Sequence, residues 1–143
     1  NADTEGRGII TLINEYVVAT PRASCFTSLG SLRYLSLMQY VDGVVGNSSS
    51  GLIEAPAMHK PTVNIGLRQG GRLKATSVID CDPKTDSIIE AIQSLFSDEF
   101  QSRLTSIINP YGVPGGSAKV VEILETAPLE DILMKRFHYQ EPS

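Results

Sequence analysis

The sequence predicts an α/β fold, a Rossmann-like parallel sheet with helices on both faces. Short apolar runs bounded by turn residues alternate along the chain with longer segments in which apolar residues recur at helical spacing. This alternation is typical of a parallel sheet with crossover helices. The chain has 143 residues, of which 41% are hydrophobic. That is enough for a buried core, so we interpret residues 1–143 as one domain.

Three helices and three strands are predicted in the first half of the chain. Asp3 and Thr4 can each cap a helix that runs to about Val18, and Pro21 then ends it. Residues 43–46 form an apolar run that is too short for a helix, which favours a buried parallel strand. The other elements predicted here are a strand at 25–29, a helix from near Ser31 to Val41, a helix at 51–58 and a strand at 62–65.

The second half is predicted to contain one more strand, at 77–80, followed by helices. The apolar residues of 88–96 recur at the spacing of a strong helix. Further helices are expected at 100–107, from Val120 onward and at 129–137, with a turn-rich break at 109–116 that contains two prolines and three glycines.

The composition disfavours several classes of partner. A net charge of −4 argues against a general nucleic-acid binder, which would show a basic patch and a high pI. No apolar run approaches the roughly 20 residues that cross a bilayer. Cys25 and Cys81 lie in apolar stretches without metal-ligand spacing, so we interpret both as reduced core residues. We therefore expect a cytoplasmic protein with no nucleic-acid, membrane or metal partner.

The start of the chain suggests that a preceding strand is missing. The chain begins at Asn1 without a methionine, a helical pattern follows at once, and no secretory signal is visible. We therefore expect a piece of a longer protein. Asn1 and Arg7 would flank the loop that leaves the missing strand, and from there they can reach a ligand at the sheet edge.

The most informative stretch is Gly46 to Pro56. Ligands of doubly wound sheets bind beyond the carboxyl ends of strands, and here a predicted strand ends, small hydroxyl residues make a turn, and a helix begins. The free N–H groups of the helix start, its dipole and the hydroxyls of Ser48 and Ser49 suit a phosphate. Glu54 lies about one turn into the helix, where its carboxylate can accept two hydrogen bonds from a ribose diol.

The same stretch has a simpler interpretation, in which Ser50 only caps the helix and the preceding serines fill a turn; the local pattern fits both equally well. Two other phosphate or nucleophile motifs are excluded. A P-loop needs lysine where the chain has Leu52. A serine-hydrolase elbow needs glycine two residues before and after the serine, and neither Ser48 nor Ser49 meets that requirement.

A second loop, residues 65–72, leaves the next predicted strand and contains three glycines with Arg68 and Arg72. Guanidinium groups match phosphate oxygens in pairs, and glycines let the backbone approach a ligand. A solvated loop with surface arginines is the alternative. Of the two histidines, His59 is predicted to lie on the side of the sheet away from the ligand and His138 near the tail. We interpret both as surface or packing residues, so the chain offers no evident acid–base pair.

Four stretches resemble, in order and spacing, the C-terminal domain of UDP-N-acetylglucosamine 2-epimerases. The resemblance covers nearly all of this chain, but only the second half of such enzymes, which have the two-domain GT-B fold of two Rossmann-like domains. The stretches are Asn1-Ala2-Asp3 through Arg7, Ser28-Leu29-Gly30-Ser31, Gly46-Asn47-Ser48-Ser49-Ser50-Gly51 with Glu54-Ala55-Pro56, and Arg68-Gln69-Gly70-Gly71-Arg72.

The resemblance implies a role for each matching residue. Ser48 and Ser49 would hold the diphosphate, Glu54 the ribose hydroxyls, and Leu29 would lie by the uracil. Asn1, Arg7 and Arg68 would make further contacts with the nucleotide. The family eliminates UDP across the C1–C2 bond of the sugar and then adds water, with most acid–base residues in the N-terminal domain. We therefore expect no catalytic residue and no cofactor in this chain, and a homo-oligomeric full-length enzyme.

The loop also resembles one branch of the family. Asn47-Ser48-Ser49 is similar to the hydrolysing branch, which yields N-acetylmannosamine for sialic-acid-type sugars, whereas the non-hydrolysing branch has Asp-Ser-Gly-Gly and a second glutamate where this chain has Ile53. The alternatives are a non-hydrolysing 2-epimerase, a GT-B glycosyltransferase that uses a UDP-sugar, and a non-catalytic UDP-sugar sensor.

Overall fold

The computed structural model of the chain describes residues 6–112, 115–130 and 133–134. They form an α/β fold around a parallel sheet, as predicted. The strands are β1 (Val44–Gly46), β2 (Thr62–Ile65) and β3 (Val78–Cys81). The helices are α1 (Gly6–Ala19), α2 (Gly30–Met38), α3 (Ser50–Ala57), α4 (Thr85–Leu95), α5 (Asp98–Arg103) and α6 (Gly116–Thr126), with a 3₁₀ turn at Leu104–Ser106.

The three strands are parallel and lie in the order β1-β2-β3. Gly46 is opposite Asn64, and Ile65 is opposite Cys81. The carboxyl ends of all three strands therefore meet at one edge of the sheet, and the loops that follow β1 and β2 are neighbours. No described strand pairs with the other side of β1.

Helices cover both faces of the sheet, and β2 is therefore buried on both. Val63 packs with Ala91 and Leu95 of α4, and all three are buried. Successive residues of a strand point to opposite faces, so Thr62 and Asn64 face the other way. Thr62 there contacts the start of α3, whose Leu52 and Ala55 are fully buried. The Rossmann-like prediction is confirmed by this arrangement.

Most predicted elements are confirmed, with shifts of a few residues at their ends. The strand at 62–65 is correct, the strand at 77–80 is observed one residue later, and the second helix ends at Met38 rather than near Val41. The helix expected at 100–107 begins earlier, at Asp98, because the Ser97 side chain accepts a hydrogen bond from the Phe100 N–H group at 3.2 Å and caps it.

Two predictions are wrong. Residues 25–29 are not a strand, because no described strand lies beside them and an isolated segment has no ladder to join. Cys25 is consequently exposed rather than part of the core, whereas Cys81 ends β3 and packs against the core as expected. The helix at 129–137 lies largely outside the described residues, and the four of its residues that are described are not helical.

Three helices contribute little to this core. Neither α1 nor α6 has a buried residue, and α2 buries only Met38. The apolar side chains of α1 are exposed, including Ile10 at 60% and Tyr16 at 64%. Among the described helices, none has the length and apolar character that a bilayer-spanning segment requires.

The start of α3 approaches β2 so closely that only glycine fits. A Cβ atom on Gly51 would lie 2.6 Å from Cγ2 of Thr62, and the Thr62 hydroxyl donates a hydrogen bond to the Gly51 carbonyl at 2.7 Å. Thr62 is buried and β-branched, so its side chain has little freedom to move away. This contact fixes the helix start against the sheet.

Near the carboxyl end of β3, Asp80 forms an ion pair with Lys74 and accepts a hydrogen bond from Asn64. The Lys74 ammonium contacts both carboxylate oxygens at 2.8 and 2.7 Å, and the Asn64 amide donates to one of them at 2.7 Å. Partial burial raises the pKa of Asp80, but the bonds from Lys74 and Asn64 and the lysine charge outweigh it, so the pKa is lowered overall. The loop after β2 is thereby tied to β3.

Replacing Gly51 with alanine is expected to destabilise the fold by about 1–3 kcal/mol, because the added methyl overlaps a rigid neighbour. The matched control is Gly8→Ala in α1, where nothing lies within 4 Å of the added Cβ atom. It is expected to be neutral or stabilising by up to about 1 kcal/mol. Urea denaturation measures both, and equal midpoints for the two variants would contradict the close approach.

Replacing Asp80 with asparagine is expected to lower stability at neutral pH and to have a smaller effect in acid. Because the pKa of Asp80 is lowered in the folded protein, the stabilisation that its carboxylate provides is fully present above the unfolded-state pKa of about 3.9. This stabilisation is lost as the pH falls through the lower, folded-state pKa. Urea midpoints of wild type and variant at pH 7 and pH 3 test this. Asp82→Asn is the control, since its Lys84 contact is exposed and 3.8 Å long.

Candidate functional site

An open cavity of about 680 Å³ lies beyond the carboxyl end of β1. One wall is the turn between β1 and α3, and the other is the segment that leads into α2. The residues that line it are Phe26, Ser28, Leu29, Gly30, Ser31, Tyr34, Ser48 and Ser50. The cavity is therefore at the edge of the sheet where doubly wound folds bind their ligands.

The serine turn leaves two backbone donors without an acceptor. Gly51 donates its N–H to the Ser48 carbonyl at 3.2 Å, Leu52 donates to the Ser49 carbonyl at 3.0 Å, and the Ser50 N–H reaches the Ser48 hydroxyl at 3.3 Å. The N–H groups of Ser48 and Ser49 donate to no acceptor among the described residues. Adjacent unpaired N–H groups before a helix are an anion-binding arrangement.

The interpretation of Ser50 as a helix cap is wrong. The capping position is Ser49, whose side chain makes no capping bond, and Ser50 is the first residue of α3. The Ser50 hydroxyl instead lies 2.7 Å from the Tyr34 hydroxyl in a partly buried pair. Tyr34 is a residue of the site that sequence reasoning missed, because it belongs to the apolar pattern of α2 and nothing in its local sequence marks it.

Glu54 lies one turn after Ser50 on the same face of α3. Its side chain is partly buried, and its Oε2 atom is shielded from solvent and has no hydrogen-bond partner among the described residues. A buried carboxylate oxygen without a hydrogen-bond donor destabilises the folded protein. A hydroxyl or N–H donor that reached this oxygen would remove that cost.

The loop after β2 contacts the serine turn through Gln69. Its side-chain amide is buried and donates from Nε2 to the Asn47 carbonyl at 2.7 Å. Arg68 and Arg72 on either side of it are exposed. Because Lys74 is held by Asp80, the two arginines are the cations of this loop that remain available to an anion.

A second cavity of about 560 Å³ lies beside this loop, at the carboxyl ends of β2 and β3. It includes Lys74, Asp80, Cys81 and Asp82 in its lining. Burial and the nearby charges of Asp82 and Asp80 raise the pKa of the Cys81 thiol. The thiol is therefore protonated at neutral pH and a poor nucleophile.

The structure brings some of the predicted site residues together and leaves others apart. Leu29 and Ser48 line the same cavity, and Ser49 lies beside it. Glu54 and Arg68 do not line that cavity, although both follow strands whose ends meet there. Arg7 is exposed on α1. Asn1 lies outside the described residues.

His59 lies on the side of the sheet where the sequence predicted it. His59 is exposed in the turn between α3 and β2, at the amino end of the strand and away from the cavity. Its ring Nδ1 is 3.3 Å from the Leu104 carbonyl, and its backbone has a φ of 56°. His138 lies outside the described residues. Among those that are described, no histidine is placed to exchange a proton at the serine turn.

Three relatives show which proteins the chain is similar to. It is 37% identical over 125 residues to "Polysialic acid biosynthesis protein P7" of Escherichia coli, covering 87% of this chain and 32% of that protein. It is 37% identical over 139 residues to "GDP/UDP-N,N'-diacetylbacillosamine 2-epimerase (hydrolyzing)" of Campylobacter jejuni, covering 96% and 36%. It is 29% identical over 136 residues to "UDP-N,N'-diacetylbacillosamine 2-epimerase (hydrolyzing)" of Legionella pneumophila, covering 95% and 35%.

The chain thus spans about a third of the length of the curated relatives it matches. The sequence model of the family described as UDP-N-acetylglucosamine 2-epimerase matches residues 1–125, which is most of the chain and includes both loops at the sheet edge. The protein therefore belongs to the UDP-N-acetylglucosamine 2-epimerase family.

Proposed function

We propose that this chain is the UDP-binding, C-terminal domain of a hydrolysing UDP-N-acetylglucosamine 2-epimerase with the GT-B fold. The observation that carries the proposal is the pair of unpaired N–H groups at Ser48 and Ser49, at the carboxyl end of β1 and beside a cavity large enough for a nucleotide. Backbone donors and a helix start at this edge of a parallel sheet suit the diphosphate of a nucleotide sugar.

Each part of the nucleotide has a partner of matching chemistry. The diphosphate accepts from the N–H groups and hydroxyls of Ser48 and Ser49. We assign the ribose diol to Glu54, one turn into α3, because a carboxylate can accept two hydrogen bonds from it. The uracil lies by Leu29, on the opposite wall of the cavity. Asn1, Arg7 and Arg68 make further contacts with the nucleotide.

The reaction is an elimination of UDP followed by hydration. The bond between the sugar C1 and the diphosphate oxygen breaks as C2 loses its proton, and water then adds to give N-acetylmannosamine. The diphosphate gains negative charge as it leaves, and fixed N–H donors aimed at that charge lower the barrier. The proton transfers belong to residues of the other domain, so this chain supplies no catalytic acid or base and needs no cofactor.

Two features favour the hydrolysing branch. The loop carries Asn47-Ser48-Ser49, and Ile53 occupies the place of the second glutamate of the non-hydrolysing branch. Two of the relatives described above are named as hydrolysing enzymes, and a third is named for polysialic acid biosynthesis. A cytoplasmic, homo-oligomeric enzyme that acts on a UDP-sugar follows from this assignment.

The full-length protein, incubated with UDP-N-acetylglucosamine and no acceptor, is expected to release free N-acetylmannosamine and UDP in equal amounts. Nuclear magnetic resonance of the products distinguishes the alternatives. UDP-N-acetylmannosamine without free sugar would identify a non-hydrolysing enzyme. No turnover without an acceptor, together with transfer when one is added, would identify a glycosyltransferase.

Glu54→Ala is expected to weaken UDP binding by about tenfold or more, because two hydrogen bonds to a charged acceptor are lost. It should also reduce the preference for UDP over 2′-deoxy-UDP towards unity. Calorimetry on the full-length protein measures both. Glu90→Ala, an exposed glutamate of α4, is the matched control and should change neither. Unchanged UDP affinity in Glu54→Ala would rule out the ribose role.

Ser49→Ala is expected to weaken UDP binding only about threefold, because it removes one hydroxyl and leaves the backbone donors in place. Uridine, which lacks phosphate, should bind the variant and the wild type equally well. A matching loss of uridine affinity would show that the serine does not act on the diphosphate.

A further inference from the structure

The buried amide of Gln69 joins the two loops of the proposed site. The loop after β2 turns back on itself through a hydrogen bond from the Gly70 N–H to the Leu67 carbonyl at 2.8 Å. Arg68, inside this turn, is exposed, whereas the next residue, Gln69, is only 5% exposed and points at the serine turn. Its Nε2 atom donates to the Asn47 carbonyl at 2.7 Å, across 22 residues of sequence.

This contact orients the peptide group that contains one of the proposed phosphate donors. The Asn47 carbonyl and the Ser48 N–H belong to the same peptide unit, and no described peptide bond is cis. In a planar trans peptide, the C=O and N–H bonds point in opposite directions. With the Asn47 carbonyl held towards Gln69, the Ser48 N–H is held away from it, and it meets no described acceptor there.

The other described hydrogen bonds at this turn hold the Ser48 carbonyl and hydroxyl, and only the bond from Gln69 reaches the Asn47–Ser48 peptide group itself. Gly46, just before Asn47, has a φ of 152°, a conformation that favours glycine. Asparagine also tolerates several backbone conformations in turns. Without the bond from Gln69, no described hydrogen bond would fix the orientation of the Asn47–Ser48 peptide, and its rotation would turn the Ser48 N–H away from the ligand.

Burying the Gln69 side chain costs free energy, and filling this space does not require a glutamine. The amide oxygen Oε1 is shielded from solvent and has no partner among the described residues. Only the NH₂ group can bond to a carbonyl, so the side chain cannot flip to relieve this. Leucine or methionine would fill a similar volume without burying an unsatisfied oxygen. A glutamine here is therefore better explained by the bond that it makes than by the space that it fills.

We propose that Gln69 is a positioning residue that fixes the Asn47–Ser48 peptide so that the Ser48 N–H is presented to the leaving diphosphate. The inference rests on the proposed function and extends it. Gln69 touches no ligand itself, and it acts through the peptide that it holds. It therefore contributes to the phosphate part of nucleotide affinity and not to the uridine part.

The test compares Gln69→Leu with Gln101→Leu in the full-length protein. Gln101 is the matched control because its Nε2 atom donates to the Leu95 carbonyl, also at 2.7 Å, at the end of α4 and away from the cavity. Calorimetry with UDP and a resonance titration with uridine are run on each, and circular dichroism melting checks folding. Gln69→Leu is expected to weaken UDP binding about three- to tenfold and to leave uridine binding unchanged. Gln101→Leu should change neither.

Gln69→Glu gives an independent readout with nearly the same side-chain shape. A carboxylate cannot donate to the Asn47 carbonyl, whereas a protonated carboxyl group can, and burial favours the protonated form. The UDP affinity of Gln69→Glu, relative to wild type at each pH, should therefore recover as the pH is lowered from 8 to 5.5. The same ratio for Gln69→Leu should stay constant, since the titration of UDP itself is common to all variants.

Three outcomes would overturn the inference. Unchanged UDP affinity in Gln69→Leu, with wild type binding UDP, would refute the positioning role alone and leave the proposed function standing. A parallel loss of UDP and uridine affinity would assign Gln69 a general structural role. If wild type bound no UDP, the proposed function itself would fail.

Discussion

The site depends on the close packing of the start of α3 against β2. Gly51 and Thr62 are in direct contact, and the Thr62 hydroxyl is bonded to the Gly51 carbonyl. Because the helix start is held against the central strand, the preceding serines must complete their turn at the sheet edge, beside the end of β1. The contact thereby places the serine turn, and Glu54 one turn after it, relative to the end of β1.

Charge at this edge is arranged so that an acidic protein can still receive an anion. Asp80 neutralises Lys74 and ties the second loop to β3, while the exposed arginines on either side of Gln69 make no ion pair with a described residue. Neutral N–H donors lie at the serine turn, and the exposed guanidinium groups belong to the loop that Gln69 joins to this turn. The proposed diphosphate ligand would then need no basic surface beyond this loop.

Local patterns predicted the elements that depend on their own sequence or that are buried on both faces of the sheet. The run at 62–65 follows a proline and lies in the centre of the sheet, and the serine turn was evident from its small residues. The segment at 25–29 has an equally strand-like sequence, but a strand requires a neighbour, and pairing is not encoded in the segment itself. For the same reason Tyr34 and Gln69 could not be assigned: their partners lie 16 and 22 residues away.

The side of β1 that pairs with no described strand has a practical consequence. The backbone N–H and C=O groups on that side of β1 can pair with a strand of another chain. The exposed apolar side chains of α1 add a hydrophobic surface that favours association. Preparations of these 143 residues would self-associate increasingly as their concentration rises. Dilute samples are therefore the sound basis for titrations on this protein.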